Sequence, residues 1–205
     1  RLLQHQPTII LQTLWKPLSG ISQNTKGTYN IGIISRDYTH KNLKLLPKIH
    51  KNLRKISNQN YIFYVTLNEK EWEIKSSEFK DSVKNVGEVN ISQGPSFYQQ
   101  MDAVIFPSLL ECFSATPLEA LIMKRPLFAS DRAFIKDACS EHAMYFDPMD
   151  SMSAAILIYE WFEKTDDMFK NNHLASAHKY VLNLSNSKDR ALSYIRIIYK
   201  QLKVS

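Results

Sequence analysis

Residues 102–120 read DAVIFPSLLECFSATPLEA. The opening, Ala103-Val104-Ile105-Phe106-Pro107, is an unbroken apolar run of strand length, the pattern of a strand covered on both faces. The run stops at Pro107, and a helix start follows. Thr116 is suited to cap it, Pro117 fits the first helical position, and Glu119 comes three residues after the cap, which together spell a capping box. Strand, loop and helix in one short stretch form half of a crossover unit.

The same alternation extends to both sides. Strand-length apolar runs are expected at residues 30–35, 61–66, 85–89, 126–129 and 144–146, with 102–107 as the strand already read. Between them lie helical periods. Leu43, Leu46, Ile49, Leu53 and Ile56 fall three or four apart and make one apolar stripe, with Pro47 in the first turn or two. Shorter helices are expected at 96–101, 117–123 and 132–139. Alternating strands and helices imply right-handed crossovers, hence an α/β class: a Rossmann-like, doubly wound parallel sheet of about six strands with helices on both faces. After Asp150 the pattern is wholly helical, with 151–163 apolar enough to pack and 189–202 carrying Leu192, Ile195, Ile198 and Leu202 at helical spacing.

The chain has 205 residues, 44% of them hydrophobic, enough for one full-sized core. No apolar run approaches the ~20 residues that cross a bilayer. Cys112 and Cys139 form no CxxC and no cluster with the histidines, which fits a reducing compartment and argues against a zinc site. The net charge of +6 suits anionic partners. A dense basic stripe interleaved with aromatics is missing, so no nucleic-acid partner is expected. Neither G-x-G-x-x-G nor G-x4-G-K-[ST] occurs, and no D-x-D pair offers to hold a metal-bound diphosphate.

Ligands of open α/β sheets sit outside the carboxyl ends of the strands. Two loops at that end carry chemistry. Ser35-Arg36-Asp37-Tyr38-Thr39-His40-Lys41-Asn42 places a guanidinium and an ammonium together near a helix start, a natural clamp for a diphosphate. The second is the loop quoted above. Its Glu119 has a structural duty in the capping box. Glu111 stands outside the helix and has none, so the two carboxylates are candidates for sugar hydroxyls beside the N–H groups of Ala115 and Thr116.

Glu111 and Glu119, with seven residues between them, Phe113 inside the interval and Ala120 after it, resemble the E-x7-E motif of the group-1 retaining glycosyltransferases (family 4, GT-B fold). Ser35-Arg36 and Lys41 are similar to that family's Gly-Arg…Lys-Gly loop. Residues 102–108, 126–131 and 145–148 resemble further family segments in the right order, so the resemblance covers roughly residues 29–159. It implies a C-terminal donor-binding domain in which Arg36 and Lys41 hold the diphosphate of a UDP-, GDP- or ADP-linked sugar, Glu119 holds the ribose and Glu111 the donor sugar. Phe113, Ser114 and the backbone of Ala115 and Thr116 complete the site. It also implies retention at the anomeric carbon, with no metal and no cofactor beyond the nucleotide-sugar donor.

Departures from the family pattern are Cys112 and Ser114 in place of glycines, and Lys124 where glycine commonly follows the helix. The expected organisation is a linker at 1–28 from an absent N-terminal, acceptor-binding domain, the donor domain at 29–185, and a closing helix at 186–205. The chain alone is then expected not to transfer sugar. Rival readings are a nucleotide-sugar epimerase or phosphorylase of the same fold, and a non-catalytic nucleotide-binding module. The family context implies a cytoplasmic enzyme of cell-surface polysaccharide synthesis, with peripheral contact to an anionic membrane.

Overall fold

The computed structural model describes residues 17–22, 25–112, 114–184 and 187–202. Six strands form one sheet: β1 (Thr28–Ile33), β2 (Asn60–Val65), β3 (Val83–Asn85), β4 (Ala103–Phe106), β5 (Leu127–Ser130) and β6 (Met144–Phe146). All pairings are parallel. Alternation along the strands explains why helices cover both faces. Ile31, Ile33, Phe63, Val65, Ala103, Ile105 and Phe128 belong to one buried cluster, whereas Tyr64, Val104, Phe106, Leu127 and Ala129 belong to the other.

The helices divide accordingly. On the first face pack α1 (Leu46–Ile56), through Leu46, Ile49 and Leu53, and α3 (Ser77–Ser82), through Phe79; α2 (Glu69–Glu73) precedes α3. The second face takes α4 (Gly94–Gln99), α5 (Thr116–Ile122) and α6 (Ala133–Cys139). The chain then returns to the first face with α7 (Ser151–Tyr159), turns through a π-helical segment at Glu160–Lys164, and crosses to the second with α8 (Asp167–Leu182). Each fully buried phenylalanine among Phe63, Phe97, Phe106 and Phe128 contributes ~1.5–3 kcal/mol of burial. Cys139 is part of the second core.

The strand order is β3-β2-β1-β4-β5-β6. Connections run outward from β1 in one direction and from β4 in the other, so the order reverses between them and leaves a crevice at their carboxyl ends. On the second face α4 and the connection after it press closely on β1 at Gly32, where an added Cβ would lie 2.6 Å from Met101 Sδ and 2.7 Å from the Phe97 ring. Only glycine fits there.

The third strand differs from expectation. It ends at Asn85 rather than starting there, because the Asn85 side chain takes over the ladder: Oδ1 accepts from the Leu67 N–H and Nδ2 donates to the Leu67 carbonyl, both at 2.9 Å. Gly87, at φ 80°, then turns the chain out of the sheet. Val86 and Val89 pack from that loop instead. Pro47 occupies the first turn of α1, as required.

Most of the expected 1–28 linker, residues 1–16 and 23–24, lies outside the described residues. Residues 17–22 lie against the domain: the Leu18 N–H donates to Gln100 Oε1 at 2.6 Å and the Ser22 N–H to the Tyr64 hydroxyl at 3.1 Å. At the other end α9 (Ser187–Leu202) leaves Leu192, Ile195 and Tyr199 exposed. The side chains of Ile198 and Leu202, expected on its stripe, are outside the described set.

Candidate functional site

The β1 and β4 loops meet at the crevice. After β1 the chain makes two 3-10 turns, Thr39–Lys41 and Leu43–Leu45, joined at Asn42 with φ 54°. Asparagine tolerates that left-handed conformation, and its buried Nδ2 donates to the Pro148 carbonyl at 3.0 Å. The turn aims Lys41 across the crevice. Its Nζ pairs with Glu111 Oε1 at 2.5 Å, with 15% and 9% of the two side chains exposed, and stands 5.6 Å from the centroid of Phe106. The main chains are tied as well, since the Leu109 N–H donates to the His40 carbonyl at 2.7 Å. Glu111 therefore has a structural partner that sequence reasoning did not give it.

Arg36 lines a cavity of about 260 Å³ together with Lys41, Ser35, Tyr38, Thr66 and Glu88, so the two expected diphosphate ligands share one space. Its guanidinium is already engaged. Nε donates to Glu71 Oε1 at 3.0 Å and Nη1 to Glu88 Oε1 at 2.6 Å. Glu71 is itself fixed: Oε1 also accepts from the Asp37 N–H at 3.1 Å, and Oε2 accepts from the Asn68 N–H at 3.0 Å. Asn68 Oδ1 accepts the Glu71 N–H in return, at 2.8 Å, which closes a capping box at the start of α2. Burial works to raise the Glu71 carboxyl, but the N–H donors of Asp37 and Asn68 and the Arg36 guanidinium outweigh it and hold it below the usual range. Sequence reasoning missed Glu71 altogether; the Asn68-x-x-Glu71 spacing could have marked the cap, but nothing local marks the hold on Arg36.

The capping box expected at Thr116 and Glu119 does not form. Thr116 is already helical, the cap position falls on Ala115 without a side-chain bond, and the Thr116 hydroxyl is turned to the Ile34 carbonyl at 3.5 Å. Glu119 is thereby released for another partner. Its Oε2 accepts from the buried Tyr98 hydroxyl at 2.9 Å, and burial raises its carboxyl pKa although that hydrogen bond opposes the shift. Tyr98, on α4, was not foreseen because nothing local links it to Glu119. Ser114 and Ala115 lie half-buried between the two carboxylates, and Phe113 is outside the described residues. Lys124 does take the position that glycine would favour, at φ 53° directly after α5. A larger cleft, of about 500 Å³, lies at the opposite end of β2 among His50, Arg54, Tyr61 and Lys84, away from these groups.

Comparison with known proteins bears on the family and the fold. The family described as glycosyl transferases group 1 matches residues 19–177. The O-antigen chain mannosyltransferase RfbU of Salmonella typhimurium is 30% identical over 76 residues, which are 37% of this chain and 22% of RfbU. A glycosyltransferase from Rickettsia africae superposes with a TM-score of 0.71 at 16% identity, over 87% of this chain and 49% of its own. A mutant of TarM from S. aureus, solved in complex with fondaparinux, α-GlcNAc-glycerol and UDP, gives 0.64 at 14% identity, over 89% of this chain and 38% of its own. At such identities the structural likeness is one of fold. The chain spans only about a fifth (22%) of the length of the curated relative it matches.

Proposed function

Because the chain belongs to the group 1 glycosyl transferases, we propose that it is the donor-binding part of a retaining hexosyltransferase. It takes a nucleotide-diphospho-sugar and passes the sugar to a glycan or lipid-linked acceptor of cell-surface polysaccharide synthesis. The observation that carries this reading is the Lys41–Glu111 pair, set at the reversal of strand order beside Arg36. A nucleotide sugar carries sugar hydroxyls and phosphate on either side of its anomeric carbon. A carboxylate beside an ammonium offers an acceptor for hydroxyls and a cation for phosphate at one place in the crevice.

In this reading Arg36 and Lys41 hold the diphosphate, Glu111 the donor sugar and Glu119 the ribose, with Phe113, Ser114 and the backbone of Ala115 and Thr116 along the loop. Breaking the anomeric bond builds negative charge on the departing nucleoside diphosphate. Fixed cations at that point lower the barrier without a metal. The cavity of 260 Å³ is smaller than the ~300–1,000 Å³ of complete small-molecule sites, as one wall of a cleft would be. An N-terminal domain contributing the other wall and the acceptor site is part of the proposal, with residues 29–185 as the donor domain and 186–205 as the helix that closes it.

The O-antigen chain named for RfbU supports a polysaccharide product. Lys44, Lys48, Lys51 and Lys55 are exposed along α1 and the turn before it, and four cations at helical spacing suit peripheral attachment to an anionic membrane on its cytoplasmic side. Among the described residues no helix is long and apolar enough to cross it.

Titration calorimetry of the chain with UDP, GDP and ADP tests the reading. At least one should bind and raise the melting temperature. Silence from all three, without a thermal shift, would remove it.

A further inference from the structure

Two carboxylates hold Arg36, and they hold it differently. Glu71 keeps only 18% of its side chain exposed and is fixed by two backbone N–H groups besides the Arg36 Nε. Glu88 is 64% exposed and touches Nη1 at 2.6 Å. It sits one residue after Gly87, at φ 80°, and lines the cavity. Arg36 itself is 42% exposed, and it lines the shared cavity together with Glu88, the partner of its Nη1. A guanidinium presents a planar fork of donors to an oxyanion. Glu71 occupies one edge as a fixed support, and Glu88 lays a carboxylate on the other.

We propose that Glu88 is an internal competitor for the anion seat of Arg36, displaced by the donor's diphosphate, whereas Glu71 is a positioning residue that holds Arg36 ready for it. The proposal rests on the donor-site reading above. An exposed ion pair is cheap to break, so displacement by a dianionic group is easy, yet it still weakens every binding event by the cost of expelling Glu88. The arrangement keeps Arg36 in place and its charge matched when no donor is present. It also favours ligands carrying enough negative charge at that point to win the exchange. A nucleoside monophosphate or an uncharged sugar cannot displace the carboxylate as well as a diphosphate can.

Glu88→Gln removes the competing charge at an exposed position and should leave folding intact. At low salt it should tighten UDP binding about fivefold, the factor an exposed pair supports. The gain should shrink for UMP, vanish for uridine, and fade as salt is raised past ~0.3 M. Glu71→Gln should weaken UDP binding while uridine affinity stays level; Glu71→Asp, too short to reach, should do the same. Equal UDP affinity in the wild type and Glu88→Gln overturns the competitor role, because the donor site is then shown to bind without it. A gain of equal size for uridine overturns it too, since that would mark a general change of shape. If neither protein binds any nucleoside diphosphate, the donor-site reading itself falls, and the competitor with it.

Discussion

Replacing Lys41 by methionine strips the charge from the crevice while keeping the stem that lies against Phe106. The consequence falls on Glu111. Fully exposed pairs are worth ~0.2–1 kcal/mol, and breaking a fully buried one costs ~3–5 kcal/mol. With 15% of Lys41 and 9% of Glu111 exposed, this pair lies between those limits. Lys41→Met should therefore destabilise the fold by about 2 kcal/mol, and Glu111→Gln by a similar amount, through the unmatched partner each leaves behind. For a chain of this size that lowers the melting temperature by about 4–8 °C. The double variant leaves no stranded charge and should lose only about 1–2 kcal/mol, a coupling of about 2–3 kcal/mol. Thermal and urea unfolding of all four proteins measure it. Nucleotide affinity should follow a different pattern, being low in the double variant although its fold has recovered. Losses that simply add, within about 0.5 kcal/mol, would refute the pairing and the reasoning built on it.

Three further outcomes are expected. Glu119→Gln keeps an acceptor for the Tyr98 hydroxyl, so the melting temperature should stay within about 2 °C while nucleotide affinity falls; equal loss of both would make Glu119 a packing residue only. Because the Glu71 carboxyl titrates lower when folded than when unfolded, the stability it provides is complete above its unfolded pKa and disappears as pH falls through the folded one. Acid unfolding of Glu71→Gln should accordingly show a shallower decline over that window, and an identical acid limb would contradict the assignment. Lys124→Gly relieves an exposed left-handed residue just beyond α5 and should raise the melting temperature by about 1–4 °C in differential scanning calorimetry.

Local patterns carried the sheet and its layering. Runs such as Ile62-Phe63-Tyr64-Val65 announce strands buried on both faces, and the stripe from Leu43 to Ile56 announces the first crossover helix, because each signal sits within a few residues. Strand order is a different matter: β1 lies beside β4 through the pairs Ile31 with Ala103 and Gly32 with Val104, which join segments far apart in the chain. The site divides the same way. Arg36, Lys41, Glu111 and Glu119 stood out by residue type and spacing. Their partners did not, since Glu71, Glu88 and Tyr98 reach them from separate crossovers. The misplaced capping box shows the limit most clearly. Thr116-x-x-Glu119 has the right letters, but the Ile34 carbonyl and the Tyr98 hydroxyl took those side chains instead.

The tie between the Leu109 amide and the His40 carbonyl gives the crevice a mechanical character. It belongs wholly to the main chain, so no exchange of side chains at either position dissolves it, short of a proline at 109. The walls that carry Lys41 and Glu111 are hinged as one piece, and a rearrangement that lifts one must lift the other or break that bond. Deuterium uptake at the Leu109 amide is thus a native clock for the opening of the whole crevice, readable without a label or a ligand.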